Sequence, residues 1–167
     1  QIHQVRYENE WPLERTQYTR LYLSEPRSGL CLEQPKTATK AVYSAKKGRV
    51  CFYHTFAEDT ELTGYMKLRL WVETQADRPG EMPSDDMVIF IAADKLNTKG
   101  EPVRFFGSVG SKQDMLTRGF LKVSRRELDP IEATEWQPVL KGTSEQKLAP
   151  GEIVAVDIET YPQSTFF

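Results

Sequence analysis

The chain has 167 residues, 39% of them hydrophobic and 28% charged, and a formal net charge of -2. That length fits one domain over residues 1–167, able to bury a sizeable core without a metal or a disulfide. Basic and acidic residues are interspersed rather than striped, and no apolar run spans a bilayer or forms a secretory leader; no nucleic acid and no membrane partner is expected, and the expected location is cytoplasmic.

Residues 1–16 read as a lead-in, with a break at Trp11-Pro12 and no initiating Met, as in a segment arriving from something upstream. Gln17 to Leu23 alternates polar and apolar or aromatic residues and predicts a strand. Glu25-Pro26 and Ser28-Gly29 carry turn chemistry, and Gly29 to Leu32 fits the return arm of a hairpin. Residues 33–48, with Lys36, Lys40, Lys46 and Lys47, read as a solvated loop around a brief strand at Ala41 to Tyr43. Arg49 to Phe56 predicts a clearer strand, on which His54 is expected to be partly buried and hydrogen-bonded. Cys31 and Cys51 lack metal-site spacing and read as separate buried thiols, with nothing to support a disulfide.

The stretch Asp59 to Glu73 is the most regular in the chain. After a polar turn, Met66, Leu68, Leu70 and Val72 take one face, and Tyr65, Lys67, Arg69, Trp71 and Glu73 the other. This predicts the central strand of an antiparallel sheet. Thr74 to Asp85 is a proline-rich surface loop. Asp86 to Asp94 is almost continuously apolar, as in a strand buried on both faces or central in a sandwich. A turn at Lys95 to Glu101 uses Asn97 and Gly100 as positive-φ positions, and Pro102 to Val109 returns as a strand. A helical turn at Asp114 to Thr117 precedes a short strand at Gly119 to Arg125. Residues 130–150 are loop-like, and Ile153 to Tyr161 is a strong strand ending at Pro162, with Val154, Val156 and Ile158 inward and Asp157 and Glu159 outward. Many short strands with almost no helical periodicity predict an all-β fold, a sandwich or jelly roll.

The signals for chemistry are sparse. Gly107-Ser108-Val109-Gly110-Ser111 has the wrong spacing for a nucleophile elbow, and no helix pattern follows it. With only His3 and His54 available, no zinc spacing exists. Among the 24 acids, Asp85-Asp86 and Asp59-Glu61 are the densest clusters, expected to cap turns rather than to hold calcium; a glycosidase-type carboxylate pair stays open. No cofactor is indicated. Tyr65 and Trp71, on the outer face of the regular strand, are candidates for an interface or a sugar-stacking platform; the bland reading places them under another domain or a loop.

Several strings together carry a family resemblance. Asp59-Thr60-Glu61-Leu62-Thr63-Gly64 runs into Lys67 to Val72, Asp85-Asp86-Met87 leads an apolar strand, and Lys95-Leu96 and Gly100 follow. Gly119 to Asp129, with Ser124, Arg125, Arg126 and Glu127-Leu128-Asp129, comes next; then Leu148-Ala149-Pro150-Gly151-Glu152-Ile153-Val154 with Asp157-Ile158-Glu159 and Tyr161-Pro162. In this order they resemble the C-terminal, non-catalytic domain of the X-prolyl dipeptidyl-peptidase and cocaine-esterase-like (CocE/NonD) serine hydrolases, over nearly the whole chain. The resemblance implies a jelly-roll β-sandwich of the galactose-binding-like type. It also implies an α/β-hydrolase catalytic domain as partner, bearing the Ser-His-Asp triad, with this domain walling the active site and possible homo-oligomer contacts. No triad residue carries over onto this chain. Family members continue past the tyrosine-proline strand, so a missing last strand and an uncovered edge are expected here. The alternative function is an independent carbohydrate-binding module. A broad apolar patch on the exterior would favour a hydrolase's accessory domain, and one aromatic platform on a polar exterior would favour the module.

Overall fold

The structure, a computed structural model, describes residues 5–24, 28–107 and 113–167. It contains two compact units, one built from the residues up to Thr16 with Glu61–Phe166, the other from Gln17–Thr60 with Phe167.

In the smaller unit β1 (Tyr22–Ser24) and β2 (Gly29–Cys31) pair antiparallel with Tyr22 opposite Cys31, the hairpin expected from the sequence. Its turn at residues 25–27 lies outside the described residues. Arg49 to Phe56 departs from expectation. It touches β2 through one parallel bridge, Gly29 to Tyr53, where the Tyr53 N–H donates to Ser28 O at 2.8 Å and the Leu30 N–H to Tyr53 O at 2.7 Å. Among the described residues no ladder extends from that bridge, and Val50 and Tyr53 stay exposed. Ala41 to Tyr43 is exposed and not a strand; the chain turns just after it, with the Lys47 and Gly48 amides both on Ser44 O. Both cysteines are free, but Cys51 is exposed and Cys31 only half-buried, against the expectation of buried thiols, because the segments around them are not sandwiched.

The larger unit holds β3 (Glu61–Gly64), β4 (Lys67–Val72), β5 (Val88–Ala93), β6 (Lys95–Leu96), β7 (Pro102–Val103), β8 (Thr117–Lys122), β9 (Val154–Glu159) and β10 (Gln163–Phe166). The pairing is nested: β3 with β10, β4 with β9, β5 with β8 and β6 with β7, all antiparallel. Four strands run out and four return, each beside its counterpart. A long hairpin of this kind, rolled up so that its inner faces meet, is a jelly roll. The inner faces do meet. Ile89 of β5, Leu121 of β8 and Val154, Val156 and Ile158 of β9 form one buried cluster with Val123 and Leu148, against which Leu70 and Val72 of β4 pack. The all-β sandwich expected from the sequence is therefore present.

Three strand readings need correction. The stretch Asp59 to Glu73 is two strands, because Gly64 takes φ 128° and redirects the chain between them. Among the described residues β4 is laddered to β9 alone, so it is not a central strand. Its alternation holds: Leu68, Leu70 and Val72 are partly buried while Arg69 and Trp71 are exposed. β5 is not buried on both faces, since Val88 and Phe90 are exposed and only Ile89 is fully covered. Beyond Pro162 the chain forms a further strand, β10, which covers β3.

Smaller differences have local causes. In the turn after β6 only Gly100 takes a positive φ, 78°. Asn97 works through its side chain, its Oδ1 accepting the Lys99 and Glu101 amides at 2.9 and 3.0 Å. The return strand shortens to β7, followed by a single bridge between Phe105 and Asp114; its end falls at residues 108–112, outside the described residues. The helical turn stands after β8 rather than before it, as a 3-10 helix at Val123–Arg125.

Candidate interface on the sandwich

The β4–β9 register places Arg69 opposite Asp157 and Trp71 opposite Ala155. The Arg69 guanidinium donates from Nε to Asp157 Oδ1 at 2.8 Å and from Nη2 to Oδ2 at 2.6 Å, a bidentate fork. Lys67 Nζ lies 3.7 Å from the same carboxylate. Asp157 points outward, as the alternation required, yet is only 8% exposed because these two cations cover it. Burial pushes its carboxyl up, but the Arg69 hydrogen bond and the Lys67 charge outweigh it and leave the group below the ordinary carboxylate value.

Trp71 is 68% exposed. Tyr65 precedes β4 and packs edge-on against Trp11, ring centroids 5.8 Å apart. The two candidate aromatics thus have different neighbours: a lead-in tryptophan for Tyr65, a strand alanine for Trp71. The His54 Nδ1 is 2.9 Å from Leu30 O and its ring packs edge-on against Phe56, centroids 4.7 Å apart, the hydrogen-bonded, partly buried role expected of it. His3 and Ser108 lie outside the described residues.

The acidic pair before β5 closes a turn. Asp86 Oδ1 accepts the Met87 and Ser124 amides at 2.9 and 3.0 Å, and Oδ2 lies 3.4 Å from Lys122 Nζ and 3.5 Å from Lys147 Nζ. Burial works against the charge, but the Ser124 and Met87 amides and Lys122 outweigh it and hold the carboxyl down at about 2. Among the described residues no three His, Cys, Asp or Glu side chains gather as metal ligands.

The strings that carried the resemblance have structural work. After β8, the Arg125 guanidinium donates to Ser144 O at 3.0 Å and the Arg126 guanidinium to Gln146 O at 2.6 Å. Glu127 accepts from Lys141 Nζ at 2.7 Å and from the Ser144 hydroxyl. Asp129 accepts the Ile131 and Glu132 amides at 2.8 and 3.0 Å. This segment straps the long loop down, which brings Leu148 into the core. At the start of β9, Gly151 takes φ 75° and the Glu152 carboxylate accepts the Ala149 amide at 2.8 Å, closing the turn.

The feature that sequence reasoning missed is the outer face of β5–β8. Phe90 and Phe120 are directly opposite in the ladder, ring centroids 6.4 Å apart, and are 78% and 64% exposed. Exposed Val88 extends the face at one end. At the other end lies a groove of about 350 Å³, lined by Ala92, Met115, Arg118, Phe120 and exposed Tyr161. A signal was present in Arg118-Gly119-Phe120-Leu121-Lys122, where Phe120 shares parity with two basic residues and opposes the core Leu121.

Nested pairing and a shared core define a jelly-roll β-sandwich domain. The chain belongs to the family described as the X-Pro dipeptidyl-peptidase C-terminal non-catalytic domain, which matches residues 1–167. Two crystal structures of a CocE/NonD family hydrolase from Staphylococcus aureus, one at 1.95 Å, are similar to it. Each superposes with a TM-score of 0.89 at 36% identity over 97% of this chain. The chain spans only 28% of the length of those hydrolases. Among curated proteins none matches it. Among the described residues no helix is long and apolar enough to cross a membrane.

Proposed function

We propose that residues 1–167 work as one accessory, non-catalytic sandwich domain of a serine hydrolase acting on X-Pro dipeptides, esters or acyl groups. Its partner is an α/β-hydrolase domain that carries the nucleophile, and the sandwich helps wall that active site. Contacts between copies of the whole protein are a further role for its surface. The observation that carries this reading is the match, along 97% of the chain, to a minor part of CocE/NonD hydrolases. The apolar outer face of β5–β8 supports it, since monomeric proteins seldom leave large aromatics clustered in water.

The test is activity-based labelling. A fluorophosphonate probe is expected to label the natural protein and to leave residues 1–167, expressed alone, unlabelled. Labelling of the isolated chain, or none of the natural protein, would overturn the reading.

A second reading, an independent carbohydrate-binding module, is favoured by the exposure of Trp71. Quenching of Trp fluorescence by a soluble oligosaccharide, lost on Trp71→Ser, would establish it.

A further inference from the structure

From this geometry we infer that the outer face of β5–β8, centred on Phe90 and Phe120, is the surface on which the preceding part of the same polypeptide docks. The inference rests on the accessory-domain reading and adds where the partner sits. Three observations carry it.

The first is chemical. Phe90 and Phe120 stand side by side at the middle of the ladder and are the large aromatics that β5 and β8 turn away from the core. On this face the outermost pairs are Lys122 opposite Val88 and Arg118 opposite Ala92. An apolar centre with a polar rim is the anatomy of a protein contact rather than of a sugar site.

The second is shape. Beside Phe120 the same face opens into a groove lined by Phe90, Ala92, Met115, Arg118 and Tyr161. At about 350 Å³ it takes one or two large apolar side chains from a partner. Anchor residues of that kind dominate binding energy when they fill such pockets.

The third is size. Val88, Phe90, Phe120 and Tyr161 together present roughly 500 Å² on the usual areas of such side chains, short of the roughly 800 Å² per partner in a stable association. A second copy arriving from solution would be held weakly. A segment of the same chain starts at an effective concentration in the millimolar range, so a small patch is sufficient. In the similar hydrolases this fold is 28% of one longer polypeptide, which supplies such a neighbour.

The test uses the natural protein at its full length, with p-benzoylphenylalanine placed at position 90 or, separately, at 120, and at 99 in an exposed turn as control. After irradiation, the first two positions are expected to cross-link to peptides outside residues 1–167 of the same polypeptide, leaving the monomer's mass unchanged, at least tenfold above position 99. Cross-links between copies, seen as a doubled mass, would replace the proposed occupant with a second copy. An absence of cross-links at both 90 and 120 would overturn the docking surface. Fluorophosphonate labelling of the same samples keeps the two ideas apart: labelled protein without cross-links sinks the surface alone, and cross-linked protein without labelling sinks the hydrolase reading alone.

Discussion

At Gly119 the space left for a side chain is negative: a methyl group would collide with the backbone of Glu159, 2.0 Å away. Backbone cannot yield as a flexible side chain does, so β8 and β9 would have to separate and loosen the core between Leu121 and Ile158. Gly119→Ala is expected to cost about 1–3 kcal/mol, the usual range for overpacking, read as a lower urea midpoint at unchanged slope; an unchanged midpoint would mean that the strands are not held together there. Asp86 sets a second expectation. Its carboxyl sits at about 2 in the folded chain, against about 3.9 unfolded. A depressed folded value means that the unfolded chain binds the proton more tightly. The stability it contributes is therefore complete above about pH 4 and is lost as the pH falls toward 2. Glu61, held down at about 2 by Arg6 and Thr63, acts in the same direction. Asp86→Asn is expected to flatten the fall in urea midpoint between about pH 5 and pH 2; an equally steep fall in the variant would remove Asp86 from the linkage.

At the scale of the element, β4 and β5 carry opposite lessons. β4 ends its outer face in Trp71, which packs on nothing large in the ladder. Trp71→Ser is expected to change stability by less than about 0.5 kcal/mol, as for a surface position, measurable by thermal unfolding; a larger loss would show that the ring is covered. Across the core, Leu121→Ala removes a side chain that is only 2% exposed between β5 and β9. That change is expected to cost about 2–5 kcal/mol. Comparing the two variants in one denaturant series tests the assignment of inner and outer faces directly.

For the whole molecule, the nested pairing of β3 through β10 means that every ladder but β6–β7 joins residues far apart in sequence. Folding then waits on long-range contacts, and the expected refolding of residues 1–167 is slow, on the order of milliseconds to seconds. Stopped-flow refolding that completes within microseconds would contradict this topology. The exposed β5–β8 face also makes the isolated chain prone to associate. Phe90→Ser combined with Phe120→Ser is expected to lower light scattering of the isolated chain while leaving its unfolding midpoint within about 0.5 kcal/mol, because both rings lie outside the core.

Strand alternation, turn glycines and the scarcity of helical periodicity were enough for the all-β class, because side-chain parity is a local property. The β1–β2 hairpin, the inward set of β4 and β9 and the capping role of Asp86 were legible for the same reason. The strings from Asp59 to Pro162 were legible as a resemblance, and the structure explains several of them as straps and turn closures. Tertiary structure decided what depends on a partner strand. Arg49 to Phe56 has the alternation of a strand but finds no ladder among the described residues, whereas Gln163–Phe166 becomes β10 because β3 lies beside it. β5 shows the limit most clearly. Its run of apolar residues is the same whether both faces are covered or one is bare, and only the position of β8, with Phe120 opposite Phe90, settles that one face is left to the outside. Burial is a property of what stands opposite a side chain, and the neighbour here is contributed by residues thirty positions further along the chain.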